Sequence, residues 1–167
     1  MTRDEAAMAL IVRVLAREGG IADVGDGAGV TRFGQTPAWL HTFGLAAPET
    51  AAEAARNYQV WLVRTGLIGL CDYADDFADA TIDFAVNAGH RQAIRALQSV
   101  LGLRPDGIYG PETQARVDQA NRPAMARRVI GQRLRYLGSL IASKPDRFAK
   151  FAGGWTARVA AQVEALA

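Results

Sequence analysis

A regular apolar pattern near the start of the chain stops at two adjacent glycines. The apolar residues recur at the spacing of one helix face, and they are Met8, Ile11, Val12 and Leu15. Thr2 followed by Glu5 is a capping-box pattern that begins a helix. We therefore predict a helix over residues 3 to 18 that ends at Gly19-Gly20, because a residue without a Cβ atom readily adopts the left-handed conformation that closes a helix.

Glu18 falls in the last turn of this helix. The negative end of the helix dipole disfavours an ionised carboxylate there, so with partial burial we expect a raised pKa for Glu18, as a general acid requires. The glycine-rich segment from Ile21 to Thr36 is predicted to be a loop with a small β-hairpin that carries Asp26 and Thr31 back toward Glu18. A carboxyl group facing a second carboxylate and a hydroxyl is an arrangement suited to the hydrolysis of glycosidic bonds.

Proline and glycine residues divide the rest of the chain into further helices. After a short helix near Trp39, the predicted spans are about 50 to 64, 73 to 88, 90 to 101, 111 to 120, 123 to 143 and 146 to 165. Asp72 is the predicted cap of the helix over 73 to 88, and the last helix could split in two near Gly153-Gly154. The acidic residues of the helix over 73 to 88 are expected on a solvated face, and they are Asp75, Asp76, Asp79 and Asp83.

Charge is distributed unevenly along the 167 residues. Residues 1 to 83 hold 6 basic and 12 acidic side chains, whereas residues 84 to 167 hold 13 and 5. A basic half favours an anionic partner, such as an anionic wall polymer, an outer-membrane surface or nucleic acid, and solvated helix faces are the alternative. The arginines expected to contact such a polymer are Arg127, Arg128, Arg133 and Arg135.

Several classes of protein are disfavoured by the composition. No apolar run approaches the roughly 20 residues of a membrane-spanning helix, and charged residues interrupt the N-terminal apolar stretch, so no signal peptide is expected. The single cysteine, Cys71, has apolar neighbours and is expected to be a buried small side chain rather than a nucleophile. The acidic residues near Asp26 lack the alternating spacing of a calcium loop, so we expect no metal and no cofactor.

Four ordered blocks of the sequence resemble the glycoside hydrolase family 108 N-acetylmuramidases and their associated peptidoglycan-binding region. The blocks are Glu18-Gly19-Gly20 with Asp26, Gly29, Thr31, Gly34 and Thr36; Tyr58 with Trp61; Asp83 to Gly89; and Ala96 to Thr113. The order of glutamate, aspartate and threonine is also similar to the catalytic triad of phage-type lysozymes. Within the first block Gln35 departs from the family pattern, which has isoleucine there.

The resemblance implies a mainly α-helical, lysozyme-like domain with a small β-hairpin beside an active-site cleft. It implies a catalytic lobe over residues 1 to 90 and a helical peptidoglycan-binding lobe over 91 to 167, packed against it or forming one structural unit with it. The implied reaction is hydrolysis of the β-1,4 bond between N-acetylmuramic acid and N-acetylglucosamine, an endolysin-like lysis of the cell wall.

The resemblance also implies roles for individual residues. Glu18 would be the general acid, Asp26 an ionised base or electrostatic stabiliser, and Thr31 the group that orients the attacking water or the sugar. The implied substrate-binding residues are Tyr58, Trp61, Asn87 and Thr36. Core packing is the alternative for Tyr58 and Trp61.

Three other functions compete with a hydrolase. A lytic transglycosylase would use the same glutamate without an activated water, and a non-catalytic wall-binding or secretion accessory protein would not need it. A nucleic-acid-binding domain would leave the glycine-rich loop unexplained, so no nucleic acid is expected. We expect a monomer that binds the peptidoglycan glycan strand, is made in the cytoplasm, and reaches the periplasm or wall through a holin, a phage or an exporter.

Overall fold

The structure is a computed structural model that describes residues 1–18, 21–23 and 30–166, with the backbone alone for residues 18, 21–23 and 30. Its α-helices are α1 (Arg3–Glu18), α2 (Pro37–Thr42), α3 (Ala51–Thr65), α4 (Asp76–Ala88), α5 (His90–Val100), α6 (Pro111–Asp118), α7 (Arg122–Ser143), α8 (Pro145–Phe148) and α9 (Ala152–Glu164). Two 3₁₀ helices cover Leu67–Asp72 and Ala149–Phe151, and two short strands are β1 (Ile21–Asp23) and β2 (Val30–Arg32). The prediction of a mainly α-helical protein is confirmed.

The chain divides into two compact units, Met1–Ala74 and Asp75–Ala167. The boundary between the units lies between Ala74 and Asp75, because α4 packs against α5 and α7. The functional lobes over residues 1 to 90 and 91 to 167 remain a prediction. Asp75, not Asp72, caps α4, and its side chain accepts a hydrogen bond from the Ala78 amide at 3.0 Å. The last helical region does split, but at Ala149–Phe151, and Gly153-Gly154 lies inside α9.

In the first unit, α1 packs against α3 and the 3₁₀ helix Leu67–Asp72. The helix has the predicted bounds, but its buried face is rotated from the predicted one. Its buried residues are Ala6, Ala7, Leu10, Ile11 and Val14, whereas Val12 is 56% exposed. The alanines allow close approach between helices, and each buried leucine or isoleucine contributes roughly 1.5–3 kcal/mol. Cys71 is fully buried in this core, as predicted.

In the second unit, α4 lies against α5 and α7, and α7 lies against α9. The predicted solvated acidic face of α4 is wrong, since Asp83 is fully buried and Asp79 is 7% exposed. Asp75 pairs with Arg122 of α7 at 2.6 Å. A carboxylate that has a charged partner can be buried, so the acidic residues of α4 did not predict which face of the helix is exposed to solvent.

The strands β1 and β2 pair in antiparallel orientation, with Ala22 opposite Thr31. Residues 24 to 29, which would form the turn of the predicted hairpin, lie outside the described residues. Over the described parts of the chain, none of the helices has the length and apolar character needed to cross a membrane.

Candidate functional site

The predicted catalytic residues are Glu18, Asp26 and Thr31, and the structure describes the backbone of the first and the whole of the last. This helix ends at Glu18, as the sequence predicted, and the strand β1 begins at Ile21. The Glu18 side chain and the whole of Asp26 lie outside the described residues, so their roles remain predictions. Thr31 is half-buried, and its backbone pairs with Ala22, four positions after Glu18.

A tight turn follows β2. The amide of Gln35 donates to the Arg32 carbonyl at 2.9 Å, and the amide of Arg32 donates to the Gln35 carbonyl at 3.3 Å. Phe33 and Gly34, between them, have φ angles of 53° and 78°. Glycine suits this left-handed region, whereas Phe33 is strained there and needs external support.

That support comes from α3. The hydroxyl of Tyr58 donates to the Phe33 carbonyl at 3.0 Å. Gln35 is 1% exposed. Its side-chain NH₂ group donates to the Ala54 carbonyl at 2.9 Å, and its side-chain oxygen accepts from the Asn57 side chain at 2.8 Å. Gln35, which departs from the pattern that the first sequence block resembles, is thus a buried, hydrogen-bonded side chain. The sequence offered one signal for this anchor, the polar Asn57 within the apolar pattern of α3.

Tyr58 and Trp61 are core residues, at 2% and 1% exposure. Their rings lie 5.5 and 6.1 Å from the ring of the half-buried Trp39, which also contacts Phe43 at 5.3 Å. Stacking on a sugar requires an exposed ring face, so the predicted substrate-binding role of these two residues is wrong. The aromatic spacing in α3 reflects core packing.

The two other predicted substrate-binding residues have different surroundings. Thr36 caps α2, and its hydroxyl accepts a hydrogen bond from the Trp39 amide at 3.2 Å. Asn87 is half-buried near the end of α4, and its side-chain oxygen has no hydrogen bond within the described part of the chain. Thr36 therefore has a structural task, while substrate binding by either residue remains a prediction.

The four predicted polymer-binding arginines divide into two groups. Arg127, Arg128 and Arg135 are exposed and line a groove beside α5. Arg133 is fully buried and donates to Asp83 at 2.6 Å and to Gln162 at 2.6 Å. Arg133 is thus a core residue, and its predicted contact with an external polymer is wrong.

Asp83 is the centre of a buried charge cluster that sequence reasoning missed. Its carboxylate accepts hydrogen bonds from Arg133 on α7 and, at 2.6 and 3.0 Å, from Arg158 on α9. We call Asp83, Arg133 and Arg158 the Asp83 cluster. The pair of Arg158 with Asp83 is bidentate and therefore strongly directional, and Arg133 adds a further hydrogen bond, so that one carboxylate joins α4, α7 and α9. Asp83, the first residue of the block Asp83 to Gly89, therefore has a structural role in joining helices.

The predicted wall-binding segment Ala96 to Thr113 contains a second buried polar network. Gln98 is 3% exposed. Its side-chain NH₂ group donates to the Asp106 carboxylate at 2.7 Å, and its side-chain oxygen accepts from the backbone amide of Gly107 at 2.9 Å. Hydrogen bonds from the Ile108 amide and from Gln98 lower the pKa of Asp106. Gly107 has φ of 80°, and a Cβ atom there would lie 3.1 Å from the Arg91 carbonyl. These contacts fix the turn against α5.

Other reactive groups do not form a site in the described residues. Burial raises the pKa of the Cys71 thiol to about 12, so this thiol is inert at neutral pH. Within residues 1–18, 21–23 and 30–166, there is no group of three or more histidine, cysteine, aspartate or glutamate residues placed to hold a metal ion.

Comparisons with known proteins point to peptidoglycan. Residues 92–160 match the family model of a predicted peptidoglycan domain, and residues 56–117 match that of a putative peptidoglycan binding domain. The chain is similar to the structure of Brucella abortus SagA, with a TM-score of 0.73 and 26% identity over 95% of this chain and 91% of that chain. No curated protein matches it. The two family matches support peptidoglycan as the binding partner.

Proposed function

We propose that this protein is a peptidoglycan hydrolase that cleaves the β-1,4 bond between N-acetylmuramic acid and N-acetylglucosamine. The observation that carries the proposal is the position of Glu18, the last residue of α1, in a chain that matches peptidoglycan-binding models from residue 56 to residue 160. The resemblance of the first sequence block to the family 108 N-acetylmuramidases supports the same reaction.

In this proposal, Glu18 donates a proton to the glycosidic oxygen as the bond to the anomeric carbon breaks. The negative end of α1 favours the protonated form of Glu18 that this step requires. A water molecule attacks the anomeric carbon, and Asp26 takes its proton or stabilises the positive charge on the sugar ring. Thr31 orients the water or the sugar through its hydroxyl.

Hydrogen bonds from α3 to the turn after β2 support the proposal that Thr31 is held in a fixed position. Thr31 lies in β2, and the turn that follows is tied to α3 through Tyr58 and Gln35. Catalytic groups need to be held within a fraction of an ångström of their working positions, and buried hydrogen bonds behind a site provide that. In this proposal the cleft lies beside β1 and β2, and the hydrogen bonds from α3 to the following turn support it.

The test is the substitution Glu18→Gln, which keeps the shape of the side chain and removes the transferable proton. Loss of a general acid lowers turnover by about 10²–10⁴-fold. Turnover is measured as the release of reducing ends from purified sacculi, with Glu164→Gln at the opposite end of the chain as the control. Circular dichroism and thermal unfolding of both variants are expected to match the parent protein.

The products identify the reaction. After borohydride reduction, mass spectrometry is expected to show N-acetylmuramitol at the new ends. Anhydro sugars would indicate a lytic transglycosylase instead. Full turnover by Glu18→Gln would remove Glu18 from the mechanism, and failure of the parent protein to release any ends from sacculi would leave a wall-binding protein.

A further inference from the structure

A groove of about 460 Å³ runs between α5 and α7 in the second unit. Its lining includes Ser99, Val100, Arg127, Arg128, Gly131 and Arg135. We call it the arginine groove. A second groove of about 460 Å³ is adjacent and shares Val100 and Arg128 with it.

The guanidinium groups of the arginine groove have no polar partner within the described part of the chain. Arg127, Arg128 and Arg135 are exposed, and there their side chains form no ion pair or hydrogen bond. No acidic residue occurs between Asp118 and Asp146, so α7 has no carboxylate of its own to neutralise them. Three like charges that share one groove repel one another, and an anion that enters relieves this repulsion.

Gly131 keeps the groove open. It lies midway between Arg127 and Arg135 inside α7, where glycine is less favourable than alanine by about 1 kcal/mol. A Cβ atom there would meet only the Arg135 guanidinium, at 3.8 Å, so close packing within the protein does not require glycine. The missing side chain leaves space between the two arginines.

The spacing of the arginines matches a short peptide. Arg135 follows Arg127 by eight positions, which is about 12 Å along a helix. An extended chain of four residues spans at most about 13–14 Å. A guanidinium group binds a carboxylate through two parallel hydrogen bonds, and exposed guanidinium groups at both ends of the groove can bind two such groups.

We propose that the arginine groove binds the carboxylate groups of the peptide stems of peptidoglycan. In peptidoglycan the stems carry free carboxylates, while the sugars of the glycan chain are uncharged where their lactyl groups bear stems. All six groove residues named above lie within residues 92–160, which match the peptidoglycan domain model. The inference rests on the proposed function only in taking peptidoglycan as the substrate, and it concerns recognition rather than bond cleavage.

The experiment measures binding of the full chain to insoluble sacculi by co-sedimentation, in a Glu18→Gln background that prevents digestion. The same sacculi are also used after their carboxyl groups have been converted to neutral methylamides, and polyphosphate serves as a separate phosphate-bearing probe. The groove variant is Arg127→Gln with Arg128→Gln and Arg135→Gln. The matched control is Arg13→Gln with Arg56→Gln and Arg91→Gln, which removes the same charge from exposed positions outside residues 92–160.

We expect the groove variant to bind untreated sacculi at least tenfold more weakly, and the control to stay within twofold of the parent. Blocking the carboxyl groups is expected to weaken binding of the parent protein by a similar factor. It should weaken binding of the groove variant little further. Gly131→Leu, which fills the groove and keeps every charge, is expected to weaken binding at least threefold. Its thermal unfolding should match or exceed that of the parent, because the substitution removes a helical glycine.

Three results would overturn the inference. Equal losses in the groove variant and the control would show general charge attraction. Equal binding of the parent to blocked and untreated sacculi would exclude the stem carboxylates. A loss confined to polyphosphate would identify a phosphate polymer as the partner.

Hydrolysis separates this inference from the proposed function. With Glu18 intact, the release of reducing ends from untreated sacculi tests the hydrolase, whereas the binding comparison uses the Glu18→Gln background and needs no cleavage. If the parent protein releases no ends, the hydrolase proposal fails, while the binding comparison still decides whether the groove recognises stems.

Discussion

The two units of the molecule bury different kinds of side chain. The first unit is built on apolar packing, with aliphatic residues of α1 against the 3₁₀ helix and an aromatic group around Trp61. The second unit also has an apolar core, but it adds the fully buried Asp83 and Arg133, with Arg158 at their edge. Polar groups serve to position a turn in the first unit and to join helices in the second.

This difference decides which arginines of α7 face outward. At about 100° per residue, Arg127, Arg128, Gly131 and Arg135 lie roughly 120° to 220° around the helix from Arg133. Pairing of Arg133 with Asp83 therefore turns the other three arginines away from the core of the second unit. A buried ion pair is weak evidence for stability, but it can specify one arrangement of helices, and here we infer that it sets the face that carries the arginine groove.

The substitution Trp61→Ala tests the conclusion that the first unit depends on apolar packing, and it has the largest expected effect. Trp61 is 1% exposed, so its truncation is expected to lower the free energy of unfolding by about 3–5 kcal/mol. Trp155→Ala on α9 is the control, because that ring is half-buried and stacks on Phe151 at 5.7 Å. Its effect should be clearly smaller in urea titrations. An unchanged unfolding free energy for Trp61→Ala, together with weaker glycan binding, would restore a sugar-binding role.

The next effect is that of Asp83→Asn in the second unit. Removal of one partner from a buried ion pair costs about 3–5 kcal/mol, and we expect the lower end because asparagine keeps one acceptor oxygen. Asp146→Asn, an exposed aspartate of α8, is the control and should have little effect on urea unfolding.

A combined variant sharpens the contrast between the units. Asp83→Leu with Arg133→Met and Arg158→Leu should regain most of the stability lost in Asp83→Asn, since apolar residues often replace a buried ion pair without loss. The Asp83 cluster would then specify how the helices pack rather than add to the free energy of unfolding. A combined variant that unfolds more easily than Asp83→Asn would show that the second unit depends on its buried charges.

Periodicity and punctuation predicted most of the fold. The bounds of α1 were predicted because its start and stop signals are local, and proline and glycine marked the other helices to within a few residues. The inward face of α1 was not predicted, because two faces of that helix carry apolar residues at helical spacing and only tertiary contacts choose between them. Residues such as Val12 and Ile11 differ in burial but not in type of side chain.

The errors at the site have a common physical cause. Charge suggested solvent for Asp83 and Arg133, and aromatic character suggested sugar contact for Tyr58 and Trp61. Both properties depend on the partner, since a paired charge can be buried and an aromatic ring can pack on another ring. A sequence lists the side chains but not which of them meet across 50 residues, as Asp83 and Arg133 do.

The smallest expected effect concerns the capping box at the start of α3, on the surface of the first unit. Glu53 accepts hydrogen bonds from the amides of Glu49 at 2.7 Å and Thr50 at 3.2 Å, which completes the capping box of α3. The first of these bonds is the main cause that lowers the pKa of Glu53 below its usual 4.5. A carboxylate with a lowered pKa in the folded state adds stability above its unfolded pKa and loses it as the pH falls through the folded value.

Glu53→Gln should therefore be less stable than the parent at pH 7, and the difference should shrink as the pH falls below about 4.5. Urea unfolding at a series of pH values measures both proteins under the same conditions, so other carboxylates cancel. A difference that stayed constant down to pH 2.5 would mean that the shape of Glu53 matters rather than its charge. The contribution of Glu53 to stability would then come from hydrogen bonding and shape. That of the Asp83 cluster comes from ionised groups that are buried together.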